Sequence, residues 1–260
     1  MTPEAVNEAV ALFRNARQDV STLDGLPESC RPATLDDAYR IQKAFVTDWH
    51  DDVVGWKVGA TNQAALALFG MDEPFLGPIF GGTLFRSPVE LRKENFQHYC
   101  LESEFAFRMK RALPARAAPY SHGELLDAVS DVIPVFELIC PRFAGIPKGD
   151  GSSAIADCGL GGGLVLGGAV QDFSGLDLSG HQVSFSVDGE QVASGTGALV
   201  MGHPLNALAW TVSKLGAIGL ALEAGQIVTT GTCTGVNFVK AGQHAVANFG
   251  GLGKVEAQFV

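Results

Sequence analysis

The sequence lacks the features that mark several common classes of protein. Its five cysteines are widely spaced and include no CxxC pair, which argues against a disulfide framework and against a thiolate zinc site. No GxSxG motif occurs, so a serine hydrolase is not indicated. The glycine-rich stretch 159–168 matches neither GxGxxG nor the phosphate-loop motif, and we interpret it as part of a strand.

Charge and hydropathy argue against two kinds of partner. The chain has 18 basic and 28 acidic residues, a formal net charge of −10, and no cluster of lysine and arginine, so we expect no nucleic-acid partner. Glycine, proline or a charge interrupts every apolar stretch before the ~20 residues that a membrane span needs. No charged segment followed by an apolar one opens the chain. We therefore expect a cytoplasmic protein with no membrane partner.

The N-terminal region predicts helices. Pro3 and the apolar residues that follow it at helical spacing predict a first helix. Thr34, with Asp37 three residues later, predicts the start of a second. Residues 62–70 predict a short third helix that ends at Gly70.

The remainder of the chain predicts mainly strands, because short β-branched and aromatic runs alternate with glycine and proline. Asp188-Gly189 predicts a hairpin, and helices are predicted after Ser121 and His203. Since regular helices do not separate successive strands, we predict the α+β class rather than a doubly wound parallel fold. A helical region over 1–75 and a β-rich region over 76–260 would form one structural unit.

Two glutamates lie at alternate positions of the predicted strand 101–109. Side chains alternate across a strand, so Glu102 and Glu104 point to one face while apolar side chains point to the other. Two carboxylates on one face repel each other unless solvent or a cation lies between them. On spacing alone, a solvated outer face is the more common explanation of such a pair.

A third glutamate, Glu137, lies in an apolar run where an isolated carboxylate would be costly or stay protonated. A structural salt bridge to a buried lysine or arginine is one explanation. Alternatively, Glu137 joins Glu102 and Glu104 in an all-oxygen site, which selects Mg²⁺, Mn²⁺ or Ca²⁺ over zinc.

Several longer strings give a family resemblance. They are GWKVGAT at 55–61, LESEFAF at 101–107, PVFELICPR at 134–142, SGTG and GHP between 194 and 204, QIVTTGTCTG at 226–235 and GGLGKVEAQF at 250–259. In order and spacing, from about Thr34 to Phe259, the chain resembles the 2-keto-4-pentenoate hydratase and 4-oxalocrotonate decarboxylase branch of the fumarylacetoacetate hydrolase superfamily.

This resemblance implies N-terminal helices followed by a mixed β-roll or sandwich domain of the type found at the C-terminal end of fumarylacetoacetate hydrolases. It also implies a Mg²⁺ or Mn²⁺ ion held by Glu102, Glu104 and Glu137. The implied activity is that of a metal-dependent lyase, a hydratase or decarboxylase of aromatic-compound catabolism, acting on 2-hydroxydienoate or 2-oxoenoate acids. We expect a small 2-oxo acid as substrate and a homo-oligomer.

Lys57 matches the lysine of the family's GxKxG motif, and the resemblance implies that it is catalytic. Lys57, Asp157 and Thr232 are the residues implied to bind substrate. From the residues alone, a surface lysine on a short strand explains Lys57 about as well.

Two departures from the family pattern bear on the reaction. Phe75 stands where hydratases of this branch usually have an aspartate that takes part in proton transfer, and Cys158 replaces a polar residue. Decarboxylation or keto–enol exchange is therefore as defensible as hydration. Two other possibilities stay open: an acylpyruvate-type C–C hydrolase, and a non-catalytic, metal-stabilised subunit that partners an active relative.

Overall fold

The computed structural model describes residues 1–173 and 175–260. In that part of the chain no helix is long and apolar enough to cross a membrane. The helices are α1 (Pro3–Gln18), α2 (Leu35–Asp48), α3 (Gln63–Phe69), α4 (His122–Ala128), α5 (Gly151–Ala156) and α6 (Pro204–Ala217). The strands are β1 (Val53–Gly59), β2 (Phe75–Phe80), β3 (Leu84–Arg86), β4 (Val89–Leu91), β5 (Cys100–Met109), β6 (Val129–Ile139), β7 (Gly161–Leu166), β8 (Gln182–Val187), β9 (Glu190–Thr196), β10 (Ile227–Thr232), β11 (Asn237–Phe238), β12 (His244–Asn248) and β13 (Lys254–Phe259).

The predicted helix ends are confirmed by their capping contacts. The Thr34 side chain accepts a hydrogen bond from the Asp37 amide, and α3 ends at Gly70 in the left-handed conformation with φ 65°. Ser121 and Glu124 form a complete capping box at the start of α4. The backbone groups at these ends are therefore satisfied by local side chains and turns.

The strands form two sheets. The larger has the order β2-β1-β10-β5-β6-β7-β3, with β11 also paired to β5, and the smaller has the order β4-β13-β12-β8-β9. Parallel and antiparallel pairs occur in both sheets. The predicted hairpin is confirmed between β8 and β9, where Asp188 and Gly189 have φ 52° and 83°.

The larger sheet curls into a roll. Its two outer strands, β2 and β3, are joined only by the short turn Gly81–Thr83, so the two edges of the sheet must lie close together. The inner face encloses a small apolar cluster: Ile79, Ala106, Ile133, Val135, Leu164, Leu166 and Ile227. The main core lies on the other side, against the helices and the smaller sheet. The predicted combination of N-terminal helices and a mixed β-roll is therefore confirmed.

The region 1–75 is not wholly helical, because β1 lies in it and pairs with both β2 and β10. The sequence offered only a short strand at Lys57 as one explanation, because the segment GWKVG has two glycines and glycine disfavours strands. Packing requires glycine at position 55, because a side chain there would collide with the carbonyl of Ile227 on β10. The region predicted to be helical therefore also contributes a strand to the larger sheet.

Candidate metal centre

Neighbouring strands bring the three predicted glutamates together. β5 and β6 are antiparallel, and their register places Glu102 directly opposite Glu137, with Glu104 two residues further along the same face. One carboxylate oxygen from each glutamate lies within 4.8 Å of the other two. These three residues, called the carboxylate centre below, sit at one end of the inner face of the roll.

Burial makes three negative charges costly at the carboxylate centre. Glu104 and Glu137 are 0% and 2% exposed, and Glu102 is partly exposed. Burial, followed by the charge of Glu137, raises the pKa of Glu102 to about 7. The same causes, with the charge of Glu102 added, raise the pKa of Glu104 well above its usual value. A cation among the three would remove this repulsion.

Strand β10 fixes the orientation of two of the carboxylates. Thr229 Oγ1 donates to Glu137 Oε2 at 3.2 Å, and the Gly231 amide donates to Glu104 Oε2 at 2.8 Å. The pairing register shifts between Thr229 and Thr232, and Gly231 has φ 101°. A side chain at 231 would also collide with Thr61. Glycine is therefore required where the amide turns toward Glu104.

Two buried oxygens of this cluster have no hydrogen bond to the described residues, and of these only Glu137 Oε1 has an ion-pair partner, Lys57. Glu104 Oε1 is buried and has no hydrogen-bond partner among the described residues. Unpaired buried carboxylate oxygens are rare because they have lost their hydration. Three carboxylates of this kind form a donor set that suits a hard divalent cation, so the residues present fit the ion that the sequence predicts.

Lys57 lies inside the site, so its interpretation as a surface lysine is wrong. It is 3% exposed, and its Nζ lies 2.8 Å from Glu137 Oε1. Burial opposes the charge on Lys57, but Glu137, Glu102 and Glu104 outweigh burial and raise its pKa. Lys57 therefore stays an ammonium ion beside the carboxylate centre.

Phe75 lies next to Lys57. Lys57 Nζ is 5.5 Å from the centre of the Phe75 ring, within the range of a cation–π contact. The ring is 1% exposed, meets Phe69 edge to face at 5.2 Å, and covers the backbone of Gly59, where a side chain would collide with it. The position that departs from the hydratase pattern is thus a buried apolar wall of the site.

The other two predicted substrate-binding residues have different surroundings. Thr232 lies opposite Glu104 in the β5–β10 pairing, and its hydroxyl donates to the Gly235 carbonyl at 2.9 Å. Asp157 is 1% exposed, and Arg142 donates to both of its carboxylate oxygens at 2.8 and 2.6 Å. The carboxylate of Asp157 is therefore already occupied, which does not favour its predicted contact with substrate.

Sequence analysis did not identify Thr229, Gly231 or Arg142 as residues with a role. Arg142 follows the buried strand that carries Glu137, and a buried arginine needs a carboxylate partner, so its position was a usable signal. The hydrogen bonds of Thr229 and Gly231 depend on the shifted register of β10, for which the sequence offers no direct sign.

A small cavity adjoins the site on the side of β2 and β7. It has a volume of about 20 Å³ and is lined by residues that include Lys57, Glu137, Pro78 and Gly161. This volume holds about one water molecule. This cavity is too small for a 2-oxo acid, and Glu102 is the partly exposed member of the carboxylate centre.

Comparisons with known proteins agree with this fold and site. Residues 73–260 match the family described as Fumarylacetoacetate (FAA) hydrolase C-terminal. A 2-keto-4-pentenoate hydratase of Paraburkholderia xenovorans (strain LB400) is 30% identical over 100% of this chain and 96% of the relative. A 4-oxalocrotonate decarboxylase of Pseudomonas putida is 32% identical over 87% of this chain and 86% of the relative.

A solved structure extends the likeness to three dimensions. The 4-oxalocrotonate decarboxylase from Pseudomonas putida G7, complexed with magnesium and adipate, superposes with a TM-score of 0.92 at 26% identity and covers 100% of this chain and 99% of that one. The sequence match and the shared fold lead to one conclusion: the chain belongs to the fumarylacetoacetate hydrolase family.

Proposed function

We propose that the protein is a divalent-metal-dependent lyase that acts on 2-oxoenoate or 2-hydroxydienoate acids, and that it decarboxylates better than it hydrates. The observation that carries the proposal is the buried carboxylate centre with a single lysine beside it. The names of the two relatives, a hydratase and a decarboxylase, support the same class of reaction.

Glu102, Glu104 and Glu137 would hold Mg²⁺ or Mn²⁺, because all three ligands are carboxylates and Glu104 Oε1 has no other partner in the described chain. When bound, such an ion supplies positive charge that stabilises an enolate developing on the substrate. Gly231 and Thr229 keep Glu104 and Glu137 in place before the ion or the substrate arrives.

Lys57 would bind and orient the carboxylate end of the substrate. Its ammonium group is held by Glu137 at 2.8 Å and is buried, so a substrate carboxylate there would meet a fixed charge in a medium of low dielectric constant. Phe75 closes the space beside this ammonium group and excludes water from it.

The surroundings of Phe75 favour loss of CO₂ over addition of water. In decarboxylation the bond to the departing carboxylate breaks, CO₂ leaves, and the electron pair stays on the substrate as an enolate that later takes up a proton. This step needs no proton carrier at position 75. Water addition across the distal double bond does need proton transfer, and the Phe75 ring offers no titratable group for it.

The test compares three proteins with Mg²⁺ and a panel of an oxalocrotonate, a 2-hydroxydienoate and an acylpyruvate. We expect the parent protein to release CO₂ from the oxalocrotonate. Phe75→Asp should shift the products toward the hydrated 4-hydroxy-2-oxo acid, whereas Phe75→Leu, which stays apolar, should not. Efficient hydration by the parent would contradict the preference. Hydrolysis of only the acylpyruvate would identify the C–C hydrolase alternative, and no turnover of any substrate would identify the non-catalytic one.

We also propose that the protein acts in the cytoplasm as a homo-oligomer. Self-association would cover Phe238, a large apolar side chain that is 72% exposed. Light scattering coupled to size-exclusion chromatography measures the assembly directly. A monomer at micromolar concentration would contradict the homo-oligomer.

A further inference from the structure

A groove of about 700 Å³ lies on the opposite side of β1 from the carboxylate centre. Its walls are α2, β1 and the segment that follows α6. The apolar part of its surface includes Val46, Val53, Trp56, Ile218, Leu220 and Ala221. This volume lies in the range of sites that bind small molecules, and a largely apolar lining is typical of such sites.

Trp56, which lines the groove, has an unsatisfied hydrogen-bond donor that lies just beneath the surface of the groove. Trp56 is 6% exposed, and its indole N–H has no acceptor in the part of the chain that the structure describes. A buried donor without an acceptor costs free energy, because it has lost its hydrogen bond to water. A ligand whose oxygen atom reaches this nitrogen after a shift of the side chains that cover it would recover that cost.

The rim of the groove carries two cations from one flank of α2. Arg40 and Lys43 lie one helical turn apart. Arg40 is paired with Asp37 at 3.4 Å, whereas no carboxylate among residues 1–173 and 175–260 lies within ion-pair distance of Lys43. Asp36 and Glu223 are also on the rim, so the charge of the rim is mixed and Lys43 is its free cation among the described residues.

We propose that this groove is a second ligand site, which binds a small carboxylic acid with a flat aromatic or unsaturated body. The body would lie on the apolar floor at Trp56, and the carboxylate would meet Lys43. A concave site suits a small molecule better than a protein surface. None of the large exposed apolar side chains in the described chain, such as Phe238, lines the groove.

The groove is mechanically connected to the carboxylate centre by two of its walls. Trp56 and Lys57 are consecutive on β1, so they face opposite sides of the sheet. On α2, Tyr39 Oη accepts from the Leu76 amide at 3.2 Å, and Gln42 Nε2 donates to the Leu76 carbonyl at 2.9 Å. Leu76 directly follows Phe75. A ligand that shifts α2 or β1 therefore shifts the surroundings of Lys57 and Phe75, and binding should alter turnover.

Calorimetric titration with cinnamate tests the site, with the uncharged cinnamamide as a control ligand. We expect saturable binding of one cinnamate at submillimolar concentration and weaker binding of cinnamamide. Lys43→Glu should weaken cinnamate binding about tenfold, as reversal of one ion pair predicts. Lys240→Glu, which makes the same charge change at an exposed lysine away from the groove, should leave binding unchanged.

Binding at the carboxylate centre itself must be separated from binding in the groove. Lys57→Met, which alters that centre, should retain cinnamate binding, and Val46→Glu, which places a negative charge in the groove, should abolish it. With the parent enzyme, cinnamate should change kcat without competing with substrate. The proposal is overturned if cinnamate does not bind saturably, if it competes with substrate, or if Lys43→Glu and Lys240→Glu behave alike.

Discussion

Two buried ion pairs in this protein differ in how completely their charges are satisfied. Arg142 and Asp157 form one cation and one anion, and Arg142 donates to both carboxylate oxygens and to the carbonyls of Asp157 and Gly161. Lys57 and Glu137 share their surroundings with two more carboxylates, Glu102 and Glu104, so the negative charges outnumber the positive one.

This difference separates a structural role from a functional one. A pair whose hydrogen bonds are all made gains nothing from a further ligand and serves to hold the loop after β6 against α5. A cluster with an excess of buried charge and an unpaired oxygen gains much from a cation. Removal of one charge from the Arg142–Asp157 pair should therefore destabilise the fold. Removal of one carboxylate from the carboxylate centre should instead weaken metal binding without destabilising the fold.

The largest expected effect is the loss of stability when the Arg142–Asp157 pair is broken. Asp157→Asn leaves the Arg142 guanidinium buried without a counter-charge, and we expect the free energy of unfolding to fall by about 3–5 kcal/mol. Urea unfolding measures this change. Asp48→Asn, which removes the half-exposed partner of Arg14, is the control and should cost no more than about 1 kcal/mol. Equal losses of unfolding free energy in the two variants would mean that the buried pair stabilises the fold no more than the half-exposed pair.

The second prediction concerns the carboxylate centre, where the negative charges outnumber the positive one. Glu104→Gln replaces a carboxyl group whose charge is disfavoured by burial and by the charge of Glu137, so the unfolding free energy of the metal-free protein should not fall. Loss of a metal ligand should nevertheless weaken Mg²⁺ binding by at least about 100-fold, as measured by calorimetry. The exposed Glu90→Gln is a matched control. Unchanged Mg²⁺ affinity in Glu104→Gln would show that Glu104 is not a ligand.

The sequence predicted the carboxylate centre better than the Arg142–Asp157 pair, for a physical reason. Alternation along one strand is a local pattern, and it was enough to place Glu102 and Glu104 on one face. Glu137 stood out because a carboxylate in an apolar run needs a partner. The fold class followed from the absence of regular helices between strands.

The remaining features depend on contacts between distant segments. Asp157, which was predicted to contact substrate, is the partner of the buried Arg142, and this pairing joins segments that are distant in the sequence. The place of strand β1 in the larger sheet was not predicted, because its glycines allow close approach to β10, a property of the packed sheet and not of the segment alone.

The third prediction tests whether Lys57 belongs to the functional region. Lys57→Met keeps the apolar stem and removes the charge, so kcat/KM should fall about 30-fold, the equivalent of one hydrogen bond to a charged group. Mg²⁺ affinity should not fall, because the three carboxylates lose a competing cation. Lys240→Met, an exposed site, is the control. Unchanged kcat/KM in Lys57→Met would make its pair with Glu137 structural, like that of Arg142.

The smallest expected effect is the pH dependence of Mg²⁺ binding, which follows from the excess negative charge. Burial and the charge of Glu137 raise the pKa of Glu102 to about 7, so protons and Mg²⁺ compete for this carboxylate. A fall in pH from 8 to 6 protonates Glu102, and for a single group of this pKa the affinity should drop about tenfold. Titrations at pH 7 in buffers of different ionisation enthalpy should show proton release on Mg²⁺ binding. Glu104, whose pKa is also raised, chiefly by burial, adds to this release and does not reverse its sign. Mg²⁺ binding that is independent of pH and releases no proton would mean that the carboxylates are already ionised without the metal. The charges of the carboxylate centre would then be satisfied nearly as well as those of the Arg142–Asp157 pair.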